Sequence, residues 1–195
     1  MQNACDAADP ATRINRVKIE VGEGKMRFMH NGAPFAGPEV THLIYHGSTK
    51  QEDEDKKGNF GSGFLTVHLI SPRVLVRGVL IEDGQKMDFE FVLDRGGETA
   101  KDIETRMEKA WEELLRNRRP SGASGQYSTV YEFELAGSAS AVVGRGLENL
   151  ENGLPYVLAF VGEIEEVTVA TEGKTVSWSR SAREVVEGLL LTEVT

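Results

Sequence analysis

Phe28-Met29-His30-Asn31-Gly32-Ala33-Pro34-Phe35 is the stretch on which the reading of this chain turns. The residues leading into it, 25–30, form a β-rich run. So do residues 16–21, which place Val17, Ile19 and Val21 on one face, the period-two pattern of a half-buried strand. Gly22-Glu23-Gly24 joins the two runs as a hairpin. His30-Asn31-Gly32-Ala33-Pro34 then ends the sheet pattern, because proline donates no ladder hydrogen bond and glycine frees the backbone. A turn of this kind lets a ligand's flat base come close to backbone, with His30 as a hydrogen-bonding group at the strand end. Taken by itself it equally fits a plain loop.

Working outward, residues 39–46 read as a short helix and 47–59 as a polar stretch without apolar periodicity. An apolar helix is expected over 64–70. Strands over 74–81 and 87–93 are joined by Glu82-Asp83-Gly84-Gln85, a strong hairpin signal. Residues 98–117 carry the clearest helix: Ile103, Met107, Trp111, Leu114 and Leu115 make one stripe, and Arg116, Arg118 and Arg119 suit its C-terminal end. A link over 120–125 leads to a strand at 128–135 and a helix at 138–152. Further strands are expected at 156–161, 164–170 and 174–179, and a last helix, or the start of something continued elsewhere, at 181–195. Helices and strands intersperse without βαβ alternation, so the expected class is α+β, one mixed sheet with helices on a single face.

The chain has 195 residues, 39% of them hydrophobic with 21 glycines, which supplies a core for one domain. Its 22 Lys and Arg against 31 Asp and Glu give a net charge of −9, which disfavours a polyanion such as duplex nucleic acid as a general partner. No apolar run approaches the roughly 18 residues of a membrane span, and no signal-peptide pattern opens the chain. With one cysteine, Cys5, an intramolecular disulfide is impossible, and a reducing, cytoplasmic setting is expected.

Three more stretches bear on chemistry. Gln2-Asn3-Ala4-Cys5-Asp6-Ala7 is a helix end with an amide and a carboxylate one turn apart, a pair that suits a hydrated magnesium ion or a simple solvated helix end. Gly47-Ser48-Thr49-Lys50 with the charged run that follows fits a lid over a pocket, and fits a solvated loop as well. Gly58-Asn59-Phe60-Gly61-Ser62-Gly63-Phe64 places exposed backbone N–H groups before a helix, which suits phosphate. It is neither a Walker loop nor a dinucleotide fingerprint.

In order, these boxes resemble those of the GHKL ATPases, the superfamily of heat-shock-ninety chaperones, MutL proteins, type II topoisomerase ATPase domains and histidine kinases. His-Asn-Gly-x-Pro-Phe is most similar to the heat-shock-like branch with sacsin-type ATP-binding domains. The resemblance is firm over the first third of the chain and looser to Phe160. It implies a Bergerat fold, an α/β sandwich holding ATP and Mg²⁺ under a lid, in a domain over 1–180, lacking its first helix turns. Residues 181–195 would be a tail or the start of a following domain. It further implies that Asn3 ligates magnesium, that Asp6 and Ala7 line the pocket, and that His30 and Gly32 lie at the base. Ser48, Thr49 and Lys50 would belong to the lid, Gly61, Ser62, Gly63 and Phe64 would meet the phosphates, and Thr129 would help hold adenine.

Two departures qualify what the resemblance implies. The family's general-base glutamate stands four residues before the asparagine, a position that would precede Met1, so hydrolysis by this chain is expected to be absent or slow. His30 stands where most relatives carry the aspartate that accepts from the adenine amino group, so base selectivity is expected to be weaker and pH-dependent. The alternative is a degenerate Bergerat-fold interaction module without turnover, dimeric or in contact with downstream domains. His42 and His46, four apart, lack an evident third metal ligand.

Overall fold

The computed structural model describes residues 1–8, 11, 14–45, 64, 66–122, 125–186 and 189–195. A short helix α1 (Gln2–Asp6) precedes the hairpin β1 (Asn15–Gly22) and β2 (Lys25–His30), whose turn uses Glu23 and Gly24, both at positive φ. After β3 (Phe35–Ala36) comes helix α2 (Gly37–Tyr45), then a 3-10 turn at Thr66–Leu69. The second hairpin, β4 (Arg73–Glu82) and β5 (Gln85–Asp94), turns at Asp83 and Gly84, again at positive φ. Helix α3 (Ala100–Asn117) opens on a reciprocal capping box between Thr99 and Asp102. It is followed by β6 (Arg119–Pro120), β7 (Thr129–Glu134), helix α4 (Ala139–Phe160), β8 (Ile164–Thr171), β9 (Lys174–Val186) and β10 (Leu189–Val194).

Among the described residues the strands form one sheet in the order β10-β9-β8-β1-β2-β7-β4-β5-β6, with β3 beside β4. Among the described strands only β1–β8 and β3–β4 pair in parallel. The expected α+β architecture, a mixed and mostly antiparallel sheet with its helices on one face, is therefore present.

Period-two alternation divides the sheet faces. On the inner face, Val74, Val76, Leu80, Phe89, Phe91 and Leu93 pack with Val40 and Ile44 of α2 and Ala110 and Leu114 of α3. Further along the same face, Val17, Ile19, Ile164, Val167 and Val169 pack with Ala4 of α1 and with Val143, Leu147, Leu154 and Leu158 of α4. Full burial of each such aliphatic chain contributes about 1.5–3 kcal/mol. Met26 and Phe28 of β2 touch both clusters, so β2 marks the seam between two cores. The opposite face is polar: Lys18 pairs with Glu20, Arg27 with Glu132 and Arg77 with Glu90.

Three local expectations are corrected. The helix expected to end at 152 runs to Phe160, and the strand expected at 156–161 does not exist. Pro155 sits inside that helix, and the inward row Leu147, Leu154, Leu158 carries it through. Within 181–195 the described residues form the outer part of β9 and all of β10, paired antiparallel, rather than a helix. Of the apolar helix expected over 64–70, the described part is helical at Phe64 and a 3-10 turn at Thr66–Leu69.

Candidate functional site

At the seam between the two cores, β2 and β7 place His30 directly opposite Thr129. Both face the helices, being in register with Phe28–Tyr131 and Met26–Phe133. His30 is 2% exposed and Thr129 is fully buried. The Thr129 hydroxyl has no hydrogen-bond partner among the described residues. Burying an unpaired hydroxyl costs about 1–3 kcal/mol, so its retention in a tightly packed interior is a sign of a ligand-facing position. Ser128, next in the chain, anchors the turn after β2: its hydroxyl donates to the Gly32 and His30 carbonyls.

Sequence reasoning missed the residue that organises this corner, Asn15, fully buried at the start of β1. Its Nδ2 donates to the Ala4 carbonyl at 2.7 Å, and its Oδ1 accepts from the Asn31 N–H at 3.1 Å. A carbonyl only accepts and an amide N–H only donates, so the Asn15 side chain has one permitted orientation. That orientation directs Nδ2 to His30 Nδ1 at 3.5 Å, where the Gly32 N–H also donates at 3.3 Å. Two donors converge on Nδ1, so it carries no proton. Burial, and secondly the positive amino terminus of Met1, push the His30 pKa from 6.5 down to about 4. The ring is therefore neutral at physiological pH and carries its single proton on Nε2. This revises the expected pH-dependence, since no charge change of His30 falls near neutrality.

Gly32 is required by space. A Cβ there would lie 2.8 Å from the Ala7 carbonyl carbon, nearer still to its oxygen, and 2.8 Å from Asn15 Nδ2. The same Ala7 carbonyl accepts from the Ala33 N–H at 2.6 Å, which ties the end of α1 to the turn after β2. The first two sequence boxes thus meet in space. Asn3 is exposed on α1, while Asp6 and Ala7 are half-buried. Phe64 is half-buried and packs on Tyr131, ring centroids 5.2 Å apart, beside Phe28 and Thr129 on the sheet. Ser48, Thr49, Lys50, Gly61, Ser62 and Gly63 lie outside the described residues, as does His46. His42 is on α2, and its buried Nδ1 has no hydrogen-bond partner among the described residues. Among the described residues no group of three His, Cys, Asp or Glu could hold a metal ion, and no helix is long and apolar enough to cross a membrane.

The architecture is a mixed and mostly antiparallel sheet with helices over one face and a buried polar corner between two cores. No family model and no curated protein matches the chain. Among solved structures it is similar to the B-subunit of DNA gyrase from Myxococcus xanthus, with a TM-score of 0.50 and 15% identity, over 84% of this chain and 44% of that one. It is also similar to the ATPase region of Saccharomyces cerevisiae topoisomerase II, with a TM-score of 0.51 and 14% identity, over 90% of this chain and 47% of that one. The chain thus spans less than half the length of either. At such identities the likeness is one of fold.

Proposed function

We propose that this domain binds a nucleoside triphosphate of the ATP type, with Mg²⁺, on the inner sheet face between its two cores. The observation that carries the reading is the buried, unpartnered Thr129 hydroxyl opposite the buried His30, in a fold shared with a topoisomerase ATPase region. In this reading His30, Gly32 and Thr129 take the base, and Asp6 and Ala7 line the wall beside it. Gly61, Ser62, Gly63 and Phe64 meet the phosphates, and Ser48, Thr49 and Lys50 belong to a lid.

Asn3 offers a neutral amide oxygen to the cation. One such oxygen does not hold Mg²⁺ by itself, so the ion would arrive with phosphate and water oxygens completing its shell. When bound, it neutralises phosphate charge, which matters on a chain of net charge −9. No residue of this chain is assigned as general base, so the activity proposed is binding with lid closure, without hydrolysis by this chain. Assignment to the heat-shock-like branch rests on the His-Asn-Gly-x-Pro-Phe motif alone. Contact with a second copy or with downstream domains, and a cytoplasmic setting, belong to the same proposal.

Thermal unfolding with and without millimolar Mg²⁺-ATP tests this reading. A ligand that binds the folded state alone must raise the melting temperature. Asn3→Ala should remove the magnesium-dependent part of that rise. No rise in a folded sample contradicts the proposal and favours an interaction module without nucleotide.

A further inference from the structure

On the sheet face opposite the buried corner lies a cavity of about 520 Å³. Strand register builds its floor. Arg77 stands opposite Val130 of β7 and Glu90 of β5, and Val79 stands opposite Asp88, which is itself opposite Arg119 of β6. Period-two alternation turns these side chains away from the buried row Val76, Leu80, Phe89 and Phe91. Arg116, at the C-terminal end of α3, and Gly125 and Tyr127, just before β7, supply the walls. Both walls are tied to β5: Asn117 Nδ2 donates to the Glu90 carbonyl at 3.1 Å, and Ser121 Oγ donates to Asp88 Oδ1 at 2.7 Å.

The charges around this cavity are unevenly matched. Arg77 pairs with Glu90 at 2.5 Å, and Arg118 pairs with Glu82. Arg116 and Arg119 are exposed along the same cavity and have no ion pair among the described residues. Elsewhere on this face Lys18, Lys25 and Arg27 each meet a carboxylate. Two free guanidiniums at one cavity, on a chain of net charge −9, make a local seat for an anion. The planar fork of a guanidinium matches a carboxylate. Asp88 and Glu90 line the cavity too and repel a highly charged ligand such as a triphosphate, so a single negative charge fits best. Val79, Val130 and Tyr127, all half-buried, add an apolar side. The volume falls in the range of small-molecule sites, about 300–1,000 Å³.

We infer that this cavity binds a small organic acid, one carboxylate on an apolar body, with Arg116 and Arg119 holding the carboxylate and Val79, Val130 and Tyr127 taking the body. The inference stands apart from the nucleotide-binding reading, because His30 and Thr129 face the helices on the other side of the sheet.

Phenylacetate is the probe and phenylacetamide its control, since the two share a shape and differ in charge. Amide NMR of the whole chain should show saturable shifts with phenylacetate at Gly78, Val79, Tyr127 and Val130. Phenylacetamide should bind there with a dissociation constant at least about tenfold higher. Inorganic phosphate, which has no apolar body, should also bind more weakly than phenylacetate. The double variant Arg116→Gln, Arg119→Gln should weaken phenylacetate at least about tenfold, with the resonances of the inner core unmoved. Equal binding of acid and amide, phosphate as tight as phenylacetate, or an unchanged affinity in the folded double variant would each overturn the inference. So would the absence of saturable shifts at these amides up to about 20 mM phenylacetate. The comparison of the three probes uses the unaltered chain, so it decides the matter even if the double variant does not fold.

Discussion

Gly32 and the Ala7 carbonyl are in backbone contact so close that the smallest side chain at position 32 has no room. The contact joins helix α1 to the end of β2, and the Ala33 N–H to Ala7 O hydrogen bond is made across it. It explains the glycine by packing at a place where φ is not left-handed. Gly32→Ala should therefore destabilise by about 3 kcal/mol or more, at the upper end of overpacking. Urea unfolding reads this as a lowered midpoint at unchanged slope, and an unchanged midpoint would show that the α1–β2 contact is not made.

Asn15 is the second test of the same corner. Asn15→Leu strands the Ala4 carbonyl, takes one donor from His30 Nδ1 and leaves the Asn31 N–H only its bond to the Arg16 carbonyl, and should cost about 2–4 kcal/mol. Asn15→Asp keeps the acceptor for Asn31 but sets a carboxylate beside His30. Proton NMR should then show the His30 ring titrating well above its wild-type value, because a nearby negative charge favours imidazolium.

Thr129→Val should act with opposite signs on stability and binding. Removing a buried hydroxyl that has no partner relieves its desolvation cost, so the nucleotide-free protein should be stabilised by about 1 kcal/mol. The melting-temperature rise produced by Mg²⁺-nucleotide should shrink. A purely structural threonine would lower the first quantity and leave the second unmoved.

Much of this could be read in the chain, and the failures have physical causes. The two hairpins were legible because their turns carry Gly24 and Asp83-Gly84, residues suited to positive φ. Helix α3 was legible from its apolar stripe. Helix α4 runs past the expected end at 152 because burial of Leu154 and Leu158 outweighs the propensity cost of Gly153 and Pro155. The run at 181–195 lacks clean alternation, and in its described residues the pairing between β9 and β10 defines the strands. At the corner, His30 and Gly32 belong to a motif the sequence shows, while Thr129 comes only from what the resemblance implies. The amide that sets the His30 proton was not legible, because a lone Asn at a strand start looks like any polar strand end. Its role exists only once α1, β1 and the turn after β2 meet.

Stability should also depend on pH through His30. Its folded pKa is about 4 against an ordinary 6.5, so between these values the unfolded chain binds the proton that the folded one refuses. The contribution is whole above pH 6.5 and is lost as pH falls through 4, a loss of roughly 3 kcal/mol from this group. His68 is shifted down too, chiefly by burial, with the same sign. Comparing urea midpoints at pH 8, 5 and 4 for the wild type and His30→Gln isolates the His30 share, and the variant should show the shallower decline.

The most direct test of the central claim is amide NMR during titration with Mg²⁺-nucleotide. A triphosphate nucleotide seated between the two cores should give saturable shifts that are largest at Gly32, Thr129 and their neighbours on β2 and β7, with the polar face at Arg77 and Glu90 unmoved. A folded spectrum with no change at Gly32 and Thr129 up to millimolar Mg²⁺-ATP would contradict the account.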